Sequence, residues 1–237
     1  MIESFKLDRK PDFETGEIIV IDKPLTWSSF DVVNKIRYKL REITGNYKIK
    51  VGHAGTLDPL ATGVLIICTG KYTKLIENLQ EGEKVYEAIF RLGASTPSYD
   101  METDIDKEFD YSNISENQIY ELAKTFLGNS MQTPPLYSAI QIKGKRAYEF
   151  ARKGKKIKLE PREINISQFD VSKINLPDVS LTITCSKGTY IRALADDFGK
   201  KLDNGSFLYY LSRIKSGNYS IQDSIKLEDL IDFLNKT

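Results

Sequence analysis

Residues 52–65 have the sequence GHAGTLDPLATGVL, which combines three glycines with one aspartate and an Asp-Pro pair. The glycines allow positive φ or close backbone approach, and the proline restricts Asp58 to extended or turn geometry. The spacing predicts a loop over Gly52–Gly63 that leads into a buried strand, Val64–Cys68. His53 is the one side chain in the loop that could neutralise Asp58. The loop fits either an Asx-type turn, in which the carboxylate only binds its own backbone, or a functional loop.

On both sides of this loop, strand and helix signals alternate in irregular order, without a repeat or a clear linker. Capping boxes at Ser28/Asp31 and Ser115/Gln118 predict two helix starts, with Gly45 and Gly128 as the respective ends. This irregular order favours an α+β fold over a doubly wound sheet. Further strands are predicted at Glu17–Ile21, Val85–Leu92, Leu136–Ile142, Ile164–Val171 and Val179–Cys185, further helices at Ala147–Lys153, Thr189–Leu202 and Leu227–Leu234, and a surface loop at 99–114.

Composition excludes several classes of protein. The chain has 237 residues, 41% of them apolar and 28% charged, as in ordinary globular proteins. Its longest apolar run is far shorter than the roughly 20 residues of a membrane span, and no signal peptide is visible. With one histidine, a His-rich or Cys₂His₂ zinc site is excluded. No phosphate-binding glycine motif is present. Cys68 and Cys185 fall in apolar runs, which favours buried thiols and a cytoplasmic protein.

The net charge is +1, but the charges are unevenly spread. Residues 35–50 carry six bases against one acid, and residues 141–163 carry nine bases against three acids, whereas residues 99–121 hold eight acids and one lysine. A basic run is often just a solvated face. Two such runs, the second with Tyr148 and Phe150 interleaved, favour a polyanionic partner. Long cationic side chains can contact phosphates, and aromatic rings can stack on nucleobases.

The string Gly52–Leu65 resembles the catalytic loop of the bacterial TruB family, the tRNA pseudouridine-55 synthases. Other segments resemble further motifs of that family in the same order, over about residues 17–230, although Ser95–Asp104 matches its Thr/Asp-rich stretch only loosely. These segments are Asp22-Lys23-Pro24 with Thr26-Trp27-Ser28-Ser29 (family pattern DKPxGxTS), Lys84-Val85-Tyr86 with Arg91-Leu92-Gly93, Gln132-Thr133-Pro134-Pro135 with Ser138-Ala139 and Gly144-Lys145-Arg146-Ala147-Tyr148, Pro161-Arg162, Ser186-Lys187-Gly188-Thr189-Tyr190-Ile191-Arg192, and Leu211-Ser212-Arg213 with Ser216-Gly217.

The resemblance implies a fold and a domain organisation. The expected fold is α+β, with a mixed, largely antiparallel sheet flanked by helices. A single catalytic domain is expected over residues 1–237, with a basic thumb-like insertion at about 130–160. The chain resembles the short form of the family, without a C-terminal PUA domain.

The resemblance also assigns roles to individual residues. Asp58 would be the catalytic nucleophile, Tyr86 would stack on the target base, and Arg192 would pair with the catalytic aspartate. From the sequence alone, Tyr86 could equally be a strand-core residue and Arg192 a surface arginine. By position, substrate contacts are implied for His53, Tyr190, Leu211, Lys23 and Lys74, and RNA contacts of the thumb-like segment for Lys143, Lys145, Arg146, Arg152 and Lys153.

The implied reaction is isomerisation of the T-loop uridine of tRNA to pseudouridine, after the base is flipped out of the RNA. Because the rearrangement is internal and redox-neutral, no metal or organic cofactor is implied. The expected partner is the T-arm stem-loop, bound by a monomer without guide RNA or membrane. Three alternatives stay open: an RNA-binding or tRNA-folding protein without essential catalysis, a relative acting in a guide-RNA particle, and a small-molecule enzyme with a carboxylate base.

Overall fold

The computed structural model of the chain describes residues 2–138, 140–142, 144–151, 153–154 and 157–236. Helices are α1 Ser29–Thr44, α2 Ile76–Gln80, α3 Glu116–Lys124, α4 Ala147–Ala151, α5 Ile191–Lys201 and α6 Leu227–Asn235. Strands are β1 Ile18–Lys23, β2 Val51–Ala54, β3 Ala61–Thr69, β4 Lys84–Leu92, β5 Ala94–Ser95, β6 Lys107–Glu108, β7 Gly128–Gln132, β8 Gln141–Ile142, β9 Lys145–Arg146, β10 Arg162–Asn175, β11 Asp178–Cys185, β12 Ser206–Ser216, β13 Tyr219–Ser220 and β14 Ile225–Lys226.

These elements form two compact units. The first comprises Met1–Tyr86 and Leu211–Thr237, and the second comprises Glu87–Tyr210. The chain passes from one unit to the other within β4 and within β12. Most strand pairings are antiparallel, while β1 with β14 and β12 with β3 are parallel. A mixed, largely antiparallel sheet flanked by helices is therefore confirmed.

In the first unit the strand order is β14-β1-β3-β12, with β2 also paired to β3. The apolar runs of β1 and β3 alternate between two cores. Ile19 and Ile21 pack with α1 and α6, whereas Ile18 and Val20 face the cluster that includes Tyr72 and Tyr219. Because both faces of these strands are covered, their sequences are continuously apolar rather than alternating.

Helix α1 shows how local sequence sets an element's limits. Ser28 caps its first turn in a capping box with Asp31, and Gly45 ends it in the left-handed conformation at φ 67°. Both ends agree with the sequence prediction. The apolar stripe of the helix faces the first core. Of its basic residues, Lys35 is exposed, whereas Arg37, Lys39 and Arg41 are half-buried.

In the second unit the strand order is β4-β11-β10-β7. Four phenylalanines form its aromatic core, with ring centroids 4.7–6.2 Å apart: Phe90, Phe126, Phe169 and Phe198. In β11 the residues from Val179 to Cys185 alternate between buried and half-buried, as predicted. Such aromatic contacts stabilise the packing of helices on the sheet.

Several sequence predictions are wrong in detail. Residues Gly52–Gly63 are not all loop, because both ends belong to β2 and β3 and only residues 55–60 lie between these strands. Gly128 does not end the preceding helix, which stops at Lys124; it begins β7 instead, where antiparallel pairing with β10 decides the conformation. Of the predicted strand Leu136–Ile142, only Gln141–Ile142 among the described residues form a strand.

The long strand β12 has no counterpart in the sequence predictions. Its exposure pattern places Tyr209 and Tyr210 at the surface in succession, so the strand lacks the alternation that marks β structure. Pairing with residues about 150 positions earlier in β3 fixes this segment as a strand. Of the helix predicted at Ala147–Lys153, the described residues Ala147–Ala151 are helical and Lys153 lies in a turn. The surface loop predicted at 99–114 contains the two-residue strand β6.

Candidate active site

The aspartate loop, residues 55–60, connects β2 to β3 in the first unit. Strand β2 pairs with the second half of β3, and β12 pairs with the first residues of β3 on the same edge. The loop therefore leaves the sheet where one neighbouring strand ends and the next begins. Asp58 is half-buried, and its carbonyl accepts a hydrogen bond from the amide of Ala61 at 3.0 Å.

Hydrogen bonds from Ser29 and Thr26 hold the loop backbone on either side of Asp58. The hydroxyl of Ser29, at the start of α1, accepts a hydrogen bond from the amide of Leu57 at 2.8 Å and donates one to its carbonyl at 2.9 Å. The amide of Thr26 donates to the carbonyl of Pro59 at 2.8 Å. The loop is thus fixed by its neighbours before any substrate binds, which is the geometry that catalysis by a positioned carboxylate requires.

Lys23 lies beneath this loop and is fully buried. Its ammonium donates to the carbonyls of Pro24, Trp27 and Pro59 at 2.8, 2.5 and 3.4 Å. Burial lowers the pKa of Lys23 to about 8, opposed by the negative charge of Asp58. The predicted substrate-binding lysine therefore lies inside the protein, where it joins the segment before α1 to Pro59 of the aspartate loop.

Arg213, in β12, is a functional candidate that the sequence reasoning missed. It is 1% exposed and donates from Nε to the carbonyl of Val64 at 2.7 Å and from Nη2 to that of Gly55 at 2.9 Å. A longer contact of 3.5 Å joins Nη1 to the carbonyl of Thr56. The sequence signal for it is the motif Leu211-Ser212-Arg213, in which the family resemblance assigns a role to Leu211 alone.

Three other predicted residues belong to the first unit. His53 is half-buried on β2, and its pKa is lowered by burial and by the positive charge of Arg213. Within the described residues, its buried Nδ1 has no hydrogen-bond partner. Tyr86 is buried on β4 and Leu211 is buried on β12, where it pairs in register with Ala61.

Lys74 lies apart from the loop, on a 3₁₀ turn over Gly70–Leu75. It is exposed and lines a cavity of about 220 Å³. Lys48, Lys50 and Lys71 line the same cavity, together with the acid Glu14. The lysine that was predicted to contact substrate thus belongs to a basic cavity that includes part of the first basic stretch.

In the second unit, Arg192 is buried on α5 rather than exposed. Its guanidinium donates to the carbonyls of Ser98 and Tyr137 at 3.2 and 3.0 Å, and its Nε lies 3.4 Å from a carboxylate oxygen of Asp100. Asp100 is equally buried and was not selected from the sequence. Pairing of Arg192 with the catalytic aspartate stays a prediction.

Tyr190, which immediately precedes α5, is held by two side chains of the second unit. The amide group of Gln132 accepts a hydrogen bond from the backbone N–H of Tyr190 at 2.8 Å and donates to its carbonyl at 3.0 Å. The guanidinium of Arg162 lies 4.6 Å from the centre of the tyrosine ring. These contacts fix a half-buried aromatic ring, as a stacking surface for a base requires.

Three of the predicted RNA contacts of the thumb-like segment can be placed. Lys145 and Arg146 form β9 and are exposed, and Lys153 is exposed in the turn after α4. Lys143 and Arg152 lie outside the described residues. Where the structure is described, no group of three or more His, Cys, Asp or Glu side chains could hold a metal ion. No helix in those ranges is long and apolar enough to cross a bilayer.

Comparison with known proteins identifies the class. Residues 41–191 match the model of the TruB family pseudouridylate synthase N-terminal domain. The chain is 50% identical over 217 residues to tRNA pseudouridine synthase B of Flavobacterium johnsoniae, covering 91% of this chain and 95% of that protein. It is 47% identical over 225 residues to the protein of that name from Parabacteroides distasonis, covering 95% of this chain and 96% of that one.

A solved structure agrees with this class. A chain in the crystal structure of a Cbf5-Nop10-Gar1 complex matches with a TM-score of 0.71 and 27% identity. The match covers 97% of this chain and 58% of the solved chain. Fold, aspartate loop and relatives together define a pseudouridine synthase. The chain belongs to the TruB family of these enzymes.

Proposed function

We propose that this enzyme isomerises the T-loop uridine of tRNA, position 55, to pseudouridine. The observation that carries the proposal is the aspartate loop, in which a half-buried carboxylate sits on a backbone pinned by Ser29, Thr26 and Lys23. The names of its relatives, tRNA pseudouridine synthase B, support tRNA as the substrate. The reaction breaks the bond from N1 of uracil to C1′, forms one from C5 to C1′, and moves a proton from C5 to N1.

Within this proposal Asp58 is the nucleophile. The rearrangement needs a carboxylate that adds to the base or assists at the sugar, and a fixed, partly desolvated carboxylate suits either route. Tyr86 is proposed to stack on the base, and Arg192 to keep the nucleophile ionised. His53, Tyr190 and Leu211 are proposed to contact the flipped nucleotide and its neighbours. The rearrangement moves atoms only within the uridine and changes no oxidation state, so the proposed reaction needs no metal or organic cofactor.

The exposed bases of the thumb-like segment are proposed to hold the T-stem. Lys145, Arg146 and Lys153 carry their charges at the surface, where phosphates can reach them. Flipping a base costs a few kcal/mol, which such contacts and stacking in the pocket offset. The basic cavity around Lys74 adds a further cationic surface.

We further propose that the enzyme acts on tRNA as a monomer, without guide RNA, in the cytoplasm. The Cbf5-Nop10-Gar1 structure describes a complex of several proteins, whereas the two relatives that are 47–50% identical to this chain are named as tRNA pseudouridine synthases. The two buried thiols, Cys68 and Cys185, agree with a reducing compartment.

Pseudouridine formation in an unmodified T-arm transcript tests the function. The wild-type protein, with no guide RNA added, should convert the single T-loop uridine, and Asp58→Asn should abolish product while still binding RNA. Asp229→Asn, on the exposed side of α6, is the matched control and should react as wild type. Product from the Asp58→Asn protein would remove Asp58 from the mechanism. Binding without product by the wild type would instead favour an RNA-binding protein.

A further inference from the structure

Arg213 is a buried cation whose acceptors are backbone carbonyls. Among the described residues, its guanidinium donates to Gly55, Thr56 and Val64, and no carboxylate forms an ion pair with it. A buried charge held by neutral groups is costly compared with an apolar side chain of similar size. Core packing alone therefore does not explain an arginine at this position.

The three acceptors lie on both sides of Asp58 in the sequence. Gly55 and Thr56 precede Asp58, whereas Val64 follows it on β3. The planar guanidinium thus ties the entry of the loop to the strand that begins at its exit, through donors of fixed geometry. A shift of the guanidinium would move the segment that carries the carboxylate.

The backbone around Arg213 is built for this close approach. Gly55 has φ of 92°, and a Cβ added there would lie 3.4 Å from Nη1 of Arg213. Gly63 has φ of 94°, and a Cβ there would lie 2.3 Å from the carbonyl oxygen of Arg213. Gly55 lets the loop pass against the side chain of Arg213, and Gly63 lets strand β3 pass against its backbone, so both positions need a residue without Cβ.

The positive charge of Arg213 also affects the pKa values of His53 and Lys23. It lowers the pKa of His53 and contributes to the lowered pKa of Lys23. Burial is the larger cause in both cases, and Arg213 adds a positive charge that both side chains sense from β1 and β2, the strands on which they lie.

We propose that Arg213 is a positioning residue of the isomerisation, which fixes the backbone from Gly55 to Asp58 so that the carboxylate meets the substrate in a reactive orientation. This inference rests on the proposed role of Asp58 as nucleophile. It assigns no contact with RNA to Arg213, since the side chain is buried under the loop.

The test compares Arg213→Met with Arg213→Lys, with Arg9→Met as control, since Arg9 pairs with Glu17 away from the loop. Under single-turnover conditions the rate for Arg213→Met should fall about 100-fold, as expected for a misplaced reacting group, while the Kd for the T-arm changes little. Arg213→Lys keeps the charge but cannot span both ends of the loop, so its rate should recover only in part. Arg9→Met should react as wild type.

His53 provides a readout that a general loss of stability would not produce, because it is the one histidine of the chain. Its imidazole NMR signal should titrate at a higher pH in Arg213→Met than in wild type, and at nearly the wild-type pH in Arg213→Lys. Amide exchange at Leu57 should accelerate in both variants. A folded Arg213→Met protein with the wild-type rate would overturn the inference.

Gly55→Ala covers the case in which Arg213→Met fails to fold. It strains the same contact from the loop side and keeps the buried charge, so the rate should fall while RNA binding persists. Normal rates in both Gly55→Ala and Arg213→Lys would refute the positioning role. If the wild type formed no pseudouridine, the proposed function would fail, while the exchange rate at Leu57 and the His53 titration would still decide whether Arg213 orders the loop.

Discussion

Thr26 adopts a backbone conformation that its side chain disfavours. Its φ is 71°, in the left-handed region, and a β-branched residue there is a genuine outlier. The family pattern DKPxGxTS has glycine at this position, where this chain has threonine. Thr26 is held there because its amide donates to the carbonyl of Pro59, next to Asp58. The structure therefore predicts that Thr26→Gly stabilises the protein.

The magnitude follows from two opposing terms. The left-handed conformation costs a non-glycine residue about 1–2 kcal/mol, which glycine avoids. Glycine in turn loses about 0.5–1 kcal/mol through its greater freedom in the unfolded chain. The exposed threonine side chain contributes little burial, so the net gain is about 0.5–1 kcal/mol. For a chain of this size that corresponds to a rise in Tm of about 2 °C.

Thermal and urea unfolding of wild type, Thr26→Gly and Thr26→Ala would measure this effect. Alanine removes the hydroxyl and methyl but keeps Cβ, so Thr26→Ala should retain the strain and gain nothing. Pseudouridine formation by Thr26→Gly should be unchanged, because the amide that binds Pro59 remains. If Thr26→Gly were no more stable than Thr26→Ala, backbone strain would not be the operative cost.

Three further predictions concern the same loop and the thumb-like segment. Ser29→Ala leaves the buried amide of Leu57 without its partner and should lower the free energy of unfolding by about 1–3 kcal/mol in urea titrations; an unchanged midpoint would contradict this. The pKa of Lys23 is about 8 in the folded protein and has the ordinary lysine value in the unfolded chain. Between these two pH values Lys23 is protonated in the unfolded chain and neutral in the folded protein, so raising the pH favours folding. The free energy of unfolding should therefore rise with pH over that window in wild type and not in Lys23→Met. Affinity for a T-arm hairpin should fall as salt rises, with a shallower slope when Lys145 and Arg146 are replaced by glutamine; slopes that match the wild type would exclude phosphate contacts there.

Local sequence predicted the elements whose signals lie within a few residues of each other. The capping box at Ser28 and the glycine at position 45 set both limits of α1, and the alternation of β11 was visible in the sequence. Long-range pairing decided the rest. A glycine such as Gly128, shortly after a helix, is typical of a helix C-terminus, but pairing with β10 makes it the first residue of a strand. Strand β12 carries no periodic signal, and its pairing with β3 decides its conformation.

The candidate site divides in the same way. The motif around Asp58, together with the order of the other motifs, was sufficient to indicate the family and its reaction. Motif recognition depends only on which residues are present and on their order along the chain. The groups that hold the loop are distant from it in sequence and close in space, as Ser29, Lys23 and Arg213 show. Their roles depend on burial and on which carbonyl each donor reaches, and only the tertiary structure determines those.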